Sequence, residues 1–543
     1  MQTTPGLSAE FVIVGGGTAG CVLAARLSEA GHSVLVLEAG GTHDRFFVNM
    51  PMGYGKLFHD DSLNWSYTTA PDAQLGGRTD YWPRGKLLGG SSAINAMVYI
   101  RGQPEDYNGW ASMGNEGWSW NDVLPYFLRS EDNDLGASEW HGAGGPLKVS
   151  SIGGRHHPLV QHVIDAGKLL GHAENTDFNG ARQEGLGLYQ FTFRNGRRVS
   201  NAHAFLNGVR CSPNVKVVQG AMVGRIIFEG NRAIGVEYVQ KGQRWCATAT
   251  REVVVAAGAI ESPALLQRSG IGPGALLHRL GIPVVHDNGQ VGANLQDHAQ
   301  SGFAFRTQLS SLNERLRSPF GQAFAGLQYL LSSTGPLTLS INQGGGFFRS
   351  RPGLERPDCQ LYILPMSFAT NPGKEKTQLR PDAFSGLTMT VSPCRPESRG
   401  QIEILSSDPN VAPLIQPNYL STPEDMRVMV DSLKFLLQLA AARPLAQVIH
   451  SRARPPEPLD SDEALASHAR ANCKTTYHPS CTCAMGPDPQ SSVVDPALRV
   501  HGVHGLRVID ASVMPNVISG NTSAPTTMIA EKGADLLRAA YAR

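Results

Sequence analysis

Two groups of residues in this chain have types and spacing that could do chemistry. The first is Gly15-x-Gly17-x-x-Gly20. In such a turn the first glycine makes the bend and the second lets backbone approach a diphosphate. The third lets helix pack closely on strand, and the helix then points its free N–H groups at the phosphates. Glu38 follows 18 residues beyond Gly20, where an acid can hold a ribose 2′-hydroxyl and disfavour a 2′-phosphate. The motif reads as a dinucleotide site and does not by itself distinguish NAD from FAD. The second group is Cys473, His478, Cys481 and Cys483. Zinc would suit those residue types, but no second Cys-x-x-Cys pair lies nearby and Pro479 stiffens the segment. Buried thiols and no metal site are therefore expected.

The elements that must position these groups are legible in part. Residues 11–14 read as a buried strand, 21–30 as a helix ended by Gly31, and 33–37 as a second buried strand. This is a βαβ unit opening a doubly wound sheet. Residues 215–219, 222–229, 233–240 and 245–249 alternate like short antiparallel strands, with a hairpin turn at Gly230-Asn231. Residues 252–257 form another buried run, and 262–269 a helix with Pro263 in its first turn. Residues 506–509 read as a strand and 523–540 as a closing helix. Between about 299 and 477 the pattern changes to longer strands (360–364, 386–391) and a helix over 423–442. One domain is thus assembled from separated segments, with a second inserted between them.

Composition bounds the class. The 543 residues are too many for one ordinary domain, and 41% apolar with 17% charged suits a large buried core. With 47 basic and 46 acidic residues, no strong field exists to gather nucleic acid. The short basic runs, Arg197-Arg198 and residues 452–454, read as solvated surface. Residues 1–10 are polar and carry no secretory signature, and no apolar stretch is long enough to span a membrane. A cytoplasmic location is expected, with peripheral membrane contact left open. Eight sparse cysteines do not form a disulfide framework.

At residues 85–95 (GKLLGGSSAIN) the chain resembles the glucose–methanol–choline oxidoreductases. Residues 258–266 (GAIESPALL) with 269–272 (SGIG) resemble the family's second signature. The carboxy-terminal run matches at 477–482 (YHPSCT), 510–512 (DAS) and 520–521 (GN). The resemblance spans residues 11–532. It implies an α/β fold: a Rossmann-like FAD-binding domain built from discontinuous segments (1–155, 213–300 and 487–543), and an inserted α+β substrate domain (156–212 and 301–486) with an antiparallel sheet. It implies FAD contacts from Gly15, Gly17, Thr18, Ala19, Gly20, Glu38 and Ala39, and from Gly89, Gly90, Ser91, Asn95, Ala96, Met97 and Val98. Val223, Asp510, Ala511 and Thr522 complete the set. Some members attach FAD through a His just before the Asn of this loop. Ile94 stands there, so a non-covalent flavin is expected.

Oxidising an alcohol needs a base for the hydroxyl proton and a donor to hold the oxygen as charge develops. By the resemblance His478 is the base and Asn521 the donor, with hydride passing to flavin N5. His59, His156, His157, His298, His501 and His504 have no matching partner and read as structural or solvated. A small-molecule alcohol is implied, with a quinone or other carrier as acceptor. Choline would want an aromatic cage and a carboxylate. The segment 342–348 carries no acid, which favours a neutral primary alcohol. Phe347 and Phe348 read as core, and 44–65, irregular and aromatic, as a candidate access loop. An oxygen-using oxidase, a hydroxynitrile lyase of the same family and a non-catalytic flavin protein are the rivals. The intact His–Asn pair speaks against the last.

Overall fold

The computed structural model of the chain describes residues 6–369 and 380–542. Residues 1–5 of the polar opening lie outside the described residues. The strand Ser8–Val14 is rich in β-branched and aromatic residues and is buried from Phe11 to Val14. It pairs in parallel with Val34–Glu38 on one side and with Gln243–Val255 on the other. Each such buried Val, Ile or Phe stabilises the sheet by about 1.5–3 kcal/mol. The helix Thr18–Glu29 returns the chain between the first two strands, and Gly31 ends it at φ +84°.

The first sheet has seven strands. Their order is Val215–Gln219, Val34–Glu38, Ser8–Val14, Gln243–Val255, Arg232–Gln240 and Ala221–Glu229, with Leu506–Val508 also on Gln243–Val255. Two sequence expectations need correction. Residues 215–219 pair in parallel with Val34–Glu38, because the chain reaches that edge by a long crossover and not a hairpin. Residues 245–249 and 252–257 are not two strands. The single strand Gln243–Val255 pairs antiparallel with Arg232–Gln240 at its start and in parallel with Leu506–Val508 at its end. The hairpin at Gly230-Asn231 is present, with Gly230 at φ +58°.

A second seven-stranded sheet, antiparallel throughout, runs Ile449–Arg454, Ala299–Thr307, Gly386–Pro393, Cys359–Leu364, Gly344–Phe348 and Gly185–Leu188. The strand Lys474–Thr475 also pairs with Ala299–Thr307. The helix Pro423–Ala441 covers the second sheet with its Val, Leu and Met face. Phe347 and Phe348 are core residues. The 44–65 stretch is less irregular than expected, since it contains the short helices Phe46–Asn49 and Tyr54–Leu57. Among the described residues no helix is long and apolar enough to cross a membrane.

Candidate active site

The glycine turn is built as its spacing requires. Gly15 sits at φ +101°, and a Cβ there would lie 2.5 Å from the Ala256 carbonyl oxygen. A Cβ on Gly20 would fall 1.9 Å from the Gly15 oxygen, so this glycine serves helix-on-strand packing. Gly17 caps the helix Thr18–Glu29, which has neither a side-chain cap nor an acidic first turn. Its amino end opens into a cavity of about 550 Å³ bordered by Gly15, Gly17, Thr18 and Ala19. Uncapped N–H groups and the positive helix end fit a diphosphate there.

Other expected contacts border the same cavity: Glu38, Ala39 and Val223; Gly90, Ser91 and the run Asn95, Ala96, Met97 and Val98; then Asp510, Ala511 and Thr522. Gly20 and Gly89 do not border it. Gly89, at φ +87°, donates its N–H to the Gly16 carbonyl at 2.8 Å and so ties the second loop to the first. The Glu38 carboxylate accepts N–H groups from Gly16 (2.8 Å) and Gly40 (2.7 Å), and burial raises its pKa to about 7. The Asp510 carboxylate accepts from the Gly258 N–H (2.8 Å), the Ser262 hydroxyl (2.5 Å) and the Ser512 N–H (2.8 Å). It therefore fixes the start of the helix Gly258–Arg268. Pro263 lies inside that helix and not in its first turn. The Ala259 carbonyl that Pro263 leaves without a helical donor accepts the Thr482 hydroxyl at 2.7 Å instead.

The glycine-rich loop 89–98 rests on a buried arginine. Arg198 donates to Asn95 Oδ1 (2.7 Å), the Ser92 carbonyl (3.3 Å) and the Val48 carbonyl (3.0 Å). Burial lowers its pKa to about 9. The reading of Arg197-Arg198 as solvated surface is thus wrong for Arg198. A dipeptide at a strand end gives no sign of which side chain turns inward.

His478 is placed by two distant segments. Tyr477 (φ +68°) and Cys481 (φ +74°) adopt left-handed backbone, a conformation that costs roughly 1–3 kcal/mol per residue in non-glycines. The segment is clipped to residues 296–298: Thr476 N–H donates to the His298 carbonyl (2.9 Å) and Ser480 N–H to the Gln296 carbonyl (2.9 Å). The His478 N–H donates to Asp297 Oδ1 at 2.7 Å. The sequence cluster of Cys and His comes apart in three dimensions. Cys473 packs in the core beneath the second sheet, Cys481 and Cys483 in that of the first, and His478 borders the cavity.

Hydrogen bonds fix the tautomer of His478. His298 Nε2 lies 2.9 Å from the Cys394 carbonyl oxygen, which can only accept, so Nε2 carries the proton. Burial lowers the pKa of His298, so the ring is neutral and its Nδ1 accepts. That Nδ1 stands 3.0 Å from His478 Nδ1, which must then be the donor. The Thr476 hydroxyl donates to the His298 carbonyl (2.8 Å), leaving its oxygen to accept from the same His478 N–H at 3.0 Å. His478 Nε2 is left with its lone pair. Desolvation, then the proximity of His298 and Arg84, holds the His478 pKa well below the usual histidine range.

Asn521 Nδ2 donates to that lone pair at 3.0 Å. Its orientation is set from behind. Gln360 Nε2 donates to Asn521 Oδ1 (3.1 Å), and the Tyr362 hydroxyl fixes Gln360 by donating to its Oε1 (2.8 Å). Gly520 precedes at φ +137°, where a Cβ would lie 2.5 Å from Ile100 Cγ2. An unprotonated nitrogen beside an oriented amide donor can take a hydroxyl proton and hold the oxygen left behind.

Sequence reasoning missed His298, Gln360 and Arg84. His298 had no partner in the sequence yet it touches His478. Of the other histidines, His157 caps the helix Pro158–Leu169 and His501 bonds Ser492. Arg84 is half-buried, borders the cavity and donates to the Tyr477 carbonyl at 2.8 Å. No motif marks any of the three.

The chain is similar to known proteins over almost its whole length. Residues 9–300 and 396–530 match the amino- and carboxy-terminal family models for GMC oxidoreductases. The chain is 41% identical over 538 residues to the mitochondrial choline dehydrogenase of Mus musculus, covering 97% of this chain and 89% of that one. It is 40% identical to the alcohol dehydrogenase [acceptor] of Pseudomonas putida, covering 97% and 95%. Among solved structures, pyridoxine 4-oxidase from Mesorbium loti superposes with a TM-score of 0.87 at 31% identity, covering 97% of this chain and 98% of that one.

Proposed function

The chain belongs to the GMC oxidoreductase family, and on that premise we propose that it oxidises a neutral primary alcohol to the aldehyde and passes the electrons to a quinone or similar carrier. Flavin-dependent oxidation of an alcohol is supported by the membership together with the choline and alcohol dehydrogenases among the relatives. When bound, FAD supplies the acceptor for the hydride that leaves the alcohol carbon. Gly15, Gly17, Thr18 and Ala19 would hold its diphosphate, with Glu38, Ala39 and Val223 towards the adenosine. Gly90, Ser91, residues 95–98, Asp510, Ala511 and Thr522 would hold the remainder. Ile94, buried and without a nucleophile, supports a non-covalent flavin. In this reading residues 1–155, 213–300 and 487–543 form the FAD domain, and 156–212 with 301–486 the substrate domain.

The observation that carries the chemistry is the 3.0 Å contact between His478 Nε2 and Asn521 Nδ2. A substrate hydroxyl entering there donates to Nε2 and accepts from Nδ2. His478 takes the proton at Nε2 while His298 and Thr476 keep the proton on Nδ1. The uncharged side chains of Gln300, Ile341, Tyr362, Leu364, Phe368 and Thr388 border the cavity and support a neutral substrate, as do the cations Arg84 and Lys474 on the same lining, which disfavour a positively charged one. A second reading, choline, draws on Asp80, which borders the cavity together with Trp65 and Tyr81. Anaerobic titration of the flavin absorbance with linear primary alcohols, sugars and choline separates the two. Bleaching by the primary alcohols at lower concentration than by choline supports the proposal, and the reverse order sinks it. Admitting air then tests the acceptor: rapid return of the oxidised bands would assign an oxidase.

A further inference from the structure

The helix Pro319–Ser332 wears its amphipathicity inside out. Phe320, Phe324, Leu327 and Leu331 fall at the i, i+4, i+7 and i+11 positions of one face. That face is open: Phe320 is 89% exposed, Leu331 78% and Phe324 60%, with Leu330 beside them. The opposite face buries Ala325 and Tyr329. An ordinary surface helix does the reverse. Phe46 and Phe47, both exposed, extend the patch, the Phe46 ring packing edge-on against Tyr329 at 5.9 Å. From Ser318 to Phe348 the sequence holds no charged residue. Contiguous apolar surface of this kind marks an interaction site.

The charges around the patch select its occupant. Arg315 and Arg317 end the preceding helix, Arg45 precedes Phe46, and Lys56 lies 4.3 Å over the Phe47 ring. Arg197 lies close enough to Tyr329 to act on its hydroxyl. All five cations are exposed. Two exposed carboxylates stand among them, Glu314, which accepts from Ser311 and Ser385, and Asp44, which accepts from Asn49, so the five cations leave the rim net positive. A two-fold copy of this chain would bring a like-charged rim against this one. An anionic bilayer brings the opposite sign.

The patch is also continuous with the wall of the active-site cavity. Leu312 and Leu316, on the helix just before it, pack in one apolar cluster with Tyr54, Ile341, Leu364 and Phe368. Those last four residues border the cavity. We propose that the helix Pro319–Ser332, with Phe46 and Phe47, docks in the interfacial layer of an anionic phospholipid bilayer. An apolar alcohol or a lipid-dissolved acceptor then leaves the bilayer next to the cavity. The inference does not depend on which alcohol is oxidised.

The test is flotation of the flavin-loaded full chain with extruded vesicles of phosphatidylcholine, with and without roughly 30% phosphatidylglycerol. Binding to the anionic vesicles, weakened by salt, is expected. The triple variant Phe320→Glu/Phe324→Glu/Leu331→Glu should lower binding by about tenfold or more. Arg315→Gln/Arg317→Gln should lower it severalfold and flatten the salt dependence. These side chains are exposed and away from the His–Asn pair, so each variant should retain flavin and parental turnover of a water-soluble alcohol with a water-soluble acceptor. Flavin retention with no flotation on either vesicle overturns the proposal, as does a triple variant that floats like the parent. A concentration-dependent dimer abolished by the triple variant, without flotation, assigns the face to a second copy and overturns it as well.

Discussion

The glycine turn 15–20 and the His478–Asn521 pair border one cavity and are built on different principles. The turn is local. Gly15, Gly17 and Gly20 lie within six positions and act through what they lack: a Cβ on Gly20 would strike the Gly15 carbonyl, one on Gly15 the Ala256 carbonyl of the adjacent strand end, and one on Gly17 would fill the space left for a diphosphate. The pair is assembled from distance. His478 depends on His298, 180 residues away, and Asn521 on Gln360, 161 residues away. Backbone constraints leave a spacing in the sequence, whereas side-chain partnerships between remote segments leave none.

That contrast can be broken by substitutions in the turn or in the pair. The largest effect is expected from His478→Ala. It should lower kcat by about 10²–10⁴-fold while flavin content stays parental, because only proton removal is lost. A variant that keeps both flavin and turnover would remove His478 from the mechanism. Gly20→Ala should do the opposite. With a Cβ 1.9 Å from the Gly15 oxygen, the purified protein should lose most of its flavin and melt several degrees lower. Full flavin occupancy at an unchanged Tm would show that the turn can relax.

Smaller effects sharpen the comparison within the pair itself. Asn521→Leu should cost about 10²-fold in kcat, the loss typical of one preorganised donor, and leave flavin binding intact. His298→Ala should cost only severalfold, because Thr476 still accepts the His478 Nδ1 proton. Its distinguishing readout is the pH profile. His478 must be unprotonated to act, so kcat/KM falls as pH drops through its pKa. That pKa is held down by desolvation and by His298, which puts the parental acid limb below the ordinary histidine value of about 6.5. Removing His298 lessens both causes and should move the limb to higher pH. A limb that stays in place would mean that His298 has only a packing role.

The sequence was most readable where one element carries its own signal. The opening βαβ unit, the Gly230-Asn231 hairpin and the closing helix all appear. It was least readable where a partner decides. Residues 215–219 alternate in either pairing sense, and only their neighbour Val34–Glu38 makes them parallel. Pro263 suggests a first helical turn, until Thr482 is found on the Ala259 carbonyl that the proline leaves open.

Taken alone, the sequence determined the glycine turn and the βαβ unit around it, which rest on residue type at short spacing that local sterics translate directly into structure. His478 and Asn521 became candidates only through the family resemblance of 477–482 and 520–521. The tertiary structure alone decided which nitrogen of His478 is free and which way Asn521 faces. It also turned Arg198 inward beneath the 89–98 loop and left Phe320, Phe324 and Leu331 facing out. These are outcomes of which groups become neighbours after folding. Hydrogen-bond direction, desolvation and exposure depend on that company and not on position along the chain.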